Sequence, residues 1–165
     1  MDSVAASVAV CGVSGSGKTT VGESLAARLG WEFTDGDDLH PPANVRKMSA
    51  GIPLTDEDRW PWLDAVGAAL ARGARVVACS ALRREYRDRL RSAAPGASFV
   101  MLDAPREVLA ERMAARPGHF MPVALLDSQL ATLERPGADE GVLVVDATEP
   151  VTGIVDRIAA WLGQR

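Results

Sequence analysis

The sequence predicts an α/β fold in which helices cover both faces of a mainly parallel sheet. Short apolar runs that suit buried strands alternate with segments of helical spacing over nearly all of the 165 residues. A glycine-rich stretch, 12–19, joins the first apolar run to the first helical segment. Ligands of such sheets bind at the carboxyl ends of the strands, so we expect the functional site there.

The predicted elements follow one another in a regular order. Apolar runs predict strands at 7–11, 31–34, 75–79, 99–102 and 142–145. Helical spacing and helix-start signals predict helices at 18–29, from 41 towards 48, and at 56–72, 83–94, 105–115 and 151–162. Segment 116–122 interrupts the alternation, and 134–141 is predicted as a loop.

Length and composition limit the classes of protein that fit. A chain of 165 residues favours one domain over residues 1–165. The net charge of -4 gives the chain no basic surface for nucleic acid, and no apolar run approaches the ~18 residues of a transmembrane helix. Cys11 and Cys79 lie in apolar runs, which favours buried thiols in a reducing, cytoplasmic compartment.

The stretch from Gly12 to Thr19 matches the phosphate-binding pattern G-x-x-x-x-G-K-Ser/Thr without a gap. Glycines let the backbone curl so that its N–H groups face phosphate oxygens, and the following helix adds the positive end of its dipole. An exposed glycine-rich turn is the alternative, but strand, loop and helix follow in the required order. We therefore predict a P-loop nucleotide site formed by Gly12, Val13, Ser14, Gly15, Ser16, Gly17, Lys18, Thr19 and Thr20.

Within that loop, Lys18 supplies charge for the β- and γ-phosphates, and the Thr19 hydroxyl is placed to hold Mg²⁺. Carboxylates follow the second apolar run. We expect Asp35 on the Mg²⁺ side and Asp37 as the group that accepts a proton from an attacking hydroxyl. The alternative for this pair is a solvated acidic turn.

Other polar residues are candidates for the acceptor and for charge that develops during transfer. His40 either donates a hydrogen bond to the substrate or caps a helix. Arginine binds carboxylates in a planar, bidentate geometry. Arg59 and Arg87 are therefore the first candidates for binding a carboxylate of the acceptor, and Arg83 is the next. Arg112 and Arg116 could neutralise phosphoryl charge from a lid, although exposed helix ends also favour arginine.

The chain resembles the small bacterial-type gluconokinases, relatives of shikimate kinase and the nucleoside-monophosphate kinases. The stretches that carry the resemblance are 12–19, 35–37 with 39–41, 44 with 47–48, 51–56 with 58–59 and 61–63, 79–82 with 86–88 and 90–91, 116 with 118–121, 128–129, 132–134 and 136–140. The phosphate loop is shared by many families, whereas Asp-Gly-Asp-x-Leu-His-Pro, Cys-Ser-Ala-Leu and Gly-His-Phe-Met are much more selective.

The resemblance implies transfer of the γ-phosphoryl group of ATP to D-gluconate, giving 6-phosphogluconate. It also implies Mg²⁺, a parallel five-stranded core, a lid at about 116–122 and a homodimer. Lys18, Asp37, Arg112 and Arg116 would act in catalysis, and His119 would join Asp37, His40, Arg59 and Arg87 at the substrate.

Three other functions remain open at this point. Another small-molecule kinase of the same fold would act on shikimate or a nucleotide, although the chain has only one Tyr and three Phe for an aromatic pocket. A regulatory nucleotide-binding module would need neither the acidic stretch after 34 nor the lid stretch. Nucleic-acid binding through the arginine-rich helix is weakened by the acidic residues Glu85 and Asp88.

Overall fold

The computed structural model describes residues 6–115 and 123–165. Within these ranges five strands form one sheet, with bounds β1 Ser7–Cys11, β2 Glu32–Asp35, β3 Arg75–Cys79, β4 Ala97–Asp103 and β5 Leu143–Asp146. The strand order is β2-β3-β1-β4-β5, and every pairing is parallel. The predicted parallel α/β fold is confirmed, with β1 at its centre.

Seven helices within the described residues connect and cover these strands. Their bounds are α1 Lys18–Leu29, α2 Pro42–Ser49, α3 Asp56–Ala71, α4 Arg84–Ala93, α5 Arg106–Ala114, α6 Val123–Thr132 and α7 Val151–Gly163. Local signals set several ends: Gly30 closes α1 at φ 70°, and Thr55 and Asp58 form a reciprocal capping box at the start of α3. Helix α6 was not predicted.

Alternate residues of the central strand face opposite layers. Ala9 and Cys11 pack against the side that holds α3 and α4, whereas Val8 and Val10 pack against α1 and α7. Both layers are fully buried at β1, as expected for a parallel strand covered on both faces. The C-terminal end of β1, and the loop that follows it, are therefore held from both sides.

Cys11 and Cys79 are buried free thiols, as the sequence predicts, and they are register partners on β1 and β3. In the part of the chain that the structure describes, no helix combines the length and apolar character needed to cross a bilayer.

Candidate active site

The phosphate loop connects the centre of the sheet to α1 through backbone that glycine favours. Gly15 and Gly17 have φ values of 83° and 92°, in the left-handed region that costs other residues free energy. A Cβ atom on Gly15 would lie 2.7 Å from the carbonyl oxygen of Leu109 on α5. The loop is thus closely packed between α1 and α5.

Two side chains in the loop, Lys18 and Ser16, fit a polyphosphate ligand. The Lys18 ammonium donates to the carbonyl of Val13 at 3.1 Å. Burial lowers its pKa, while the nearby carboxylate of Asp37 opposes that shift. The hydroxyl of Ser16 is buried without a hydrogen-bond partner. Because buried polar groups are normally paired, an orphaned hydroxyl in the same loop as a half-buried cation suits the oxygens of a phosphate group.

The two carboxylates at the end of β2, Asp35 and Asp37, lie beside the loop. The Thr19 hydroxyl donates to Asp35 Oδ2 at 3.4 Å, and the Asp37 backbone N–H donates to Asp35 Oδ1 at 3.0 Å. Burial raises the pKa of Asp35. The described residues hold no group of three or more His, Cys, Asp or Glu that could bind a metal. A magnesium ion here would therefore depend on Thr19, Asp35, phosphate oxygens and water, as Mg²⁺ commonly does.

A cavity of about 650 Å³, counting space open to solvent, lies next to Lys18. The structure brings Lys18, Asp37, His40 and Arg59 together around it. Its other lining residues are Ser14, Met48, Ile52, Pro53, Leu54, Trp62, Ser80, Leu82, Tyr86, Leu125, Ser128 and Gln129. The cavity thus combines a cation, a carboxylate, an imidazole and a guanidinium in one concave space.

Neighbouring aromatic rings position Arg59 and His40. Arg59 NH1 donates to the Tyr86 hydroxyl at 2.9 Å, and its guanidinium carbon lies 5.2 Å from the centre of that ring. The His40 ring stacks on Trp62 with centroids 4.3 Å apart, and burial lowers the pKa of His40. Trp62 is in turn fixed by donation from Nε1 to the Gly36 carbonyl at 2.8 Å.

Arg87 is not brought to the cavity, and the expectation that it contacts the substrate is corrected. Its side chain is fully buried, where Nε and NH2 donate to the two carboxylate oxygens of Glu140. NH1 donates to the Ala81 carbonyl at 3.0 Å, and NH2 also donates to the Glu134 carbonyl at 3.0 Å. Arg87 therefore holds segments of the chain together. Arg83 pairs at the surface with Glu134 and Asp56.

A second cavity, of about 880 Å³ including open space, adjoins the other side of the phosphate loop. Gly15, Ser16, Gly17, Thr20 and Arg112 line it. Arg112 NH2 donates to the Ala147 carbonyl at 2.7 Å, and NH1 lies 3.4 Å from the carbonyl oxygens of Gly15 and Ser16. The position suits the nucleoside part of a nucleotide whose phosphates enter the loop.

The predicted site and the site in the structure differ in two ways: some predicted residues are not among those described, and some residues at the site were not predicted. Arg116, His119 and the expected lid at 116–122 lie outside the described residues. Gln129 on α6 was not predicted as a site residue, yet its Oε1 accepts the Ser14 backbone N–H at 2.7 Å. Trp62 and Tyr86 were also missed, because an aromatic residue at helical spacing is first interpreted as core.

Comparisons with known proteins agree with this geometry. Residues 8–136 match the AAA domain family. A gluconokinase from Gluconobacter oxydans (strain 621H) is 55% identical over 82% of this chain and 79% of its own length. The crystal structure of a gluconokinase from Sinorhizobium meliloti 1021 has a TM-score of 0.89 and 52% identity, covering 99% of this chain and 94% of that one.

A more distant structure shows the fold alone. Shikimate kinase from Aquifex aeolicus superposes with a TM-score of 0.62 at 19% identity, covering 96% of each chain.

Proposed function

Because the chain belongs to the gluconokinase family, we propose that the cavity beside Lys18 receives D-gluconate and that the second cavity receives the nucleoside of ATP. The activity is the ATP-dependent phosphorylation of D-gluconate to 6-phospho-D-gluconate. One observation supports the substrate placement most directly: a single cavity borders the phosphate-loop lysine, a carboxylate and a guanidinium.

The chemistry of the lining suits a polyhydroxylated acid. Arg59 carries a planar guanidinium that matches a carboxylate group. Its bond to Tyr86 and its contact with the Tyr86 ring restrict its rotamers, which lowers the entropy cost of binding. His40, Ser80 and Ser128 add hydrogen-bonding groups for hydroxyls. We assign the substrate carboxylate to Arg59.

Transfer needs alignment and charge neutralisation more than covalent catalysis by the protein. The backbone from Gly12 to Thr19 would hold the triphosphate, and Lys18 would neutralise charge on the transferred group. Asp37 would orient the terminal hydroxyl of gluconate and accept its proton. Arg112, from the nucleotide side, would add positive charge near the phosphates.

Thr19 and Asp35 are the residues that would hold Mg²⁺. The ion would supply positive charge that neutralises the phosphate oxygens. The 3.4 Å contact between Thr19 Oγ1 and Asp35 Oδ2 shows that both groups already share one side of the loop. The raised pKa of Asp35 fits a carboxylate that lacks a cationic partner sufficient to offset its burial.

The test is ADP release measured with a panel of acceptors: D-gluconate, shikimate, a nucleoside monophosphate and no acceptor. We expect release that depends on gluconate. Equal or faster release with shikimate or the nucleotide would favour the alternative small-molecule kinase. Arg59→Lys keeps the charge but loses the planar fork, so it should raise KM for gluconate more than KM for ATP.

Two further expectations stay predictions for this chain. The resemblance to gluconokinases implies a homodimer, which sedimentation equilibrium would test. The buried free thiols Cys11 and Cys79 support a reducing, cytoplasmic location.

A further inference from the structure

Asn44, on α2, is a buried polar residue that no step of the proposed transfer uses. It is 3% exposed, and its Nδ2 atom lies 2.8 Å from the carbonyl oxygen of Asp58. A backbone carbonyl can only accept hydrogen bonds, so the atom that faces it is the amide nitrogen. The orientation of the Asn44 amide is thereby fixed.

The same nitrogen lies 3.1 Å from Nδ1 of His40. An amide nitrogen carries two hydrogens and no acceptor. One hydrogen is directed to Asp58, and the other is available for His40. Nδ1 of His40 must therefore present a lone pair, which in the neutral ring places the proton on Nε2. A protonated ring would bring two N–H groups face to face.

Other groups around His40 also affect whether its ring is protonated. Burial has the largest effect and lowers the pKa of His40. The Asp37 carboxylate raises this pKa, and the Arg59 guanidinium on α3 lowers it. The ring also stacks on Trp62 at an interplanar angle of 11°. The carboxylate of Asp58 is engaged by Lys47 at 2.7 Å and by the Thr55 N–H at 2.9 Å.

We propose that Asn44 is a positioning residue that holds His40 as the neutral Nε2–H tautomer, so that His40 offers the acceptor substrate a hydrogen-bond donor and not a base. Nε2 is the remaining polar atom of a ring that borders the cavity together with Asp37 and Arg59. The identity of the acceptor rests on the proposed function. Because His40 is a donor in this arrangement, Asp37 is the residue that accepts the proton of the substrate hydroxyl.

A measurement without substrate tests the tautomer. In uniformly ¹⁵N-labelled protein, long-range ¹H–¹⁵N spectra distinguish a protonated ring nitrogen from one with a lone pair. The chain has two histidines, so His119→Gln identifies the His40 signals. We expect Nε2 protonated and Nδ1 unprotonated at pH 8, where the ring is neutral. A predominant Nδ1–H form, or an even mixture, would overturn the proposal whichever acceptor the enzyme prefers.

A double-mutant cycle tests whether Asn44 acts through His40. Glutamine at position 40 supplies an N–H near the place of Nε2 without tautomers. We expect Asn44→Leu to lower kcat/KM for gluconate about tenfold, as for one lost hydrogen bond, with KM for ATP unchanged. In the His40→Gln background the same change should cost less than about twofold. An equal cost in both backgrounds would contradict the mechanism.

If Asn44→Leu does not fold, a second variant at the same position still tests the proposal. Asn44→Asp places an acceptor opposite Nδ1 and should move a proton onto Nδ1, visible in the same spectra as a raised His40 pKa. An unchanged Nε2–H tautomer and an unchanged pKa in this variant would show that Asn44 does not control the ring.

Discussion

Arg87 and Glu140 form a buried ion pair with two parallel hydrogen bonds. Nε lies 2.8 Å from Oε1 and NH2 lies 2.9 Å from Oε2, and the two side chains are 0% and 1% exposed. Arg91 adds a contact to Glu140 Oε1 at 2.9 Å. The pair ties the segment after α6 to α4 and, through the Ala81 carbonyl, to the loop that places Ser80 and Leu82 at the cavity.

We expect Glu140→Gln to destabilise the protein by about 3 kcal/mol at pH 7, because it leaves a buried guanidinium without its counter-charge. The Arg87 and Arg91 guanidinium groups lower the pKa of Glu140 to about 2. A carboxyl whose folded pKa is depressed stabilises the fold above its unfolded pKa, near 4.5. The stabilisation is lost as pH falls from there towards 2. Urea unfolding of variant and wild type at pH 7 and pH 3 measures this difference.

Asp139→Asn is the matched control, since Asp139 pairs with Arg84 at 2.8 Å but both side chains are largely exposed. Exposed pairs contribute little, so this variant should unfold like the wild type at either pH. A deficit of Glu140→Gln that stays constant from pH 7 to pH 3 would argue against a role for the charge.

Lys18→Ala should abolish transfer while leaving the fold. Removing a preorganised charge that stabilises a transition state typically costs about 10²- to 10³-fold in kcat. Because burial disfavours the charged ammonium, its loss should not lower the melting temperature. Steady-state kinetics and a thermal scan measure the two effects, and a variant with near-native turnover would refute the assignment.

Asp37→Asn should lower kcat about 10²- to 10⁴-fold, the range for a lost general base, with little change in KM for ATP. Asp38→Asn serves as the control, because this neighbouring carboxylate is exposed like Asp37 but does not border the cavity. Comparable losses in both variants would show that net charge in this turn matters, and not proton acceptance at position 37.

Gly15→Ala should abolish ATP binding, because its Cβ would collide with the Leu109 carbonyl and its φ is 83°. Gly153→Ala is the control: the residue is within α7, and apart from the adjacent backbone of that helix no described atom lies within 4 Å of the added Cβ. In a helix this change stabilises by about 0.5–1 kcal/mol. Calorimetric titration with ATP distinguishes the two, and intact binding by Gly15→Ala would contradict the packing argument.

The features that the sequence predicts well are formed by residues that are adjacent along the chain. The strand, the glycine-rich loop and α1 lie next to each other along the chain, so the nucleotide site follows from local pattern. The carboxylates Asp35 and Asp37 follow from the end of β2. Each predicted strand and helix is present, with ends displaced by at most a few residues.

Partners distant in sequence explain the failures. Several arginines share α4, and spacing alone does not tell which one faces Glu140, more than fifty residues later along the chain. Residue type and spacing therefore predict a substrate contact for Arg87, whereas its side chain is buried in the protein interior. Gln129 is similar, since its partner Ser14 lies 115 positions away.

The central position of β1 has a consequence for how the protein is made. Residues 7–11 are synthesised before both of their hydrogen-bonding partners, strands 75–79 and 97–103. The edge that faces β4 cannot be paired natively until residues 97–103 have also been synthesised. The nascent chain must therefore keep one edge of an apolar segment unpaired until β4 emerges, and exposed segments of this kind are targets for chaperones.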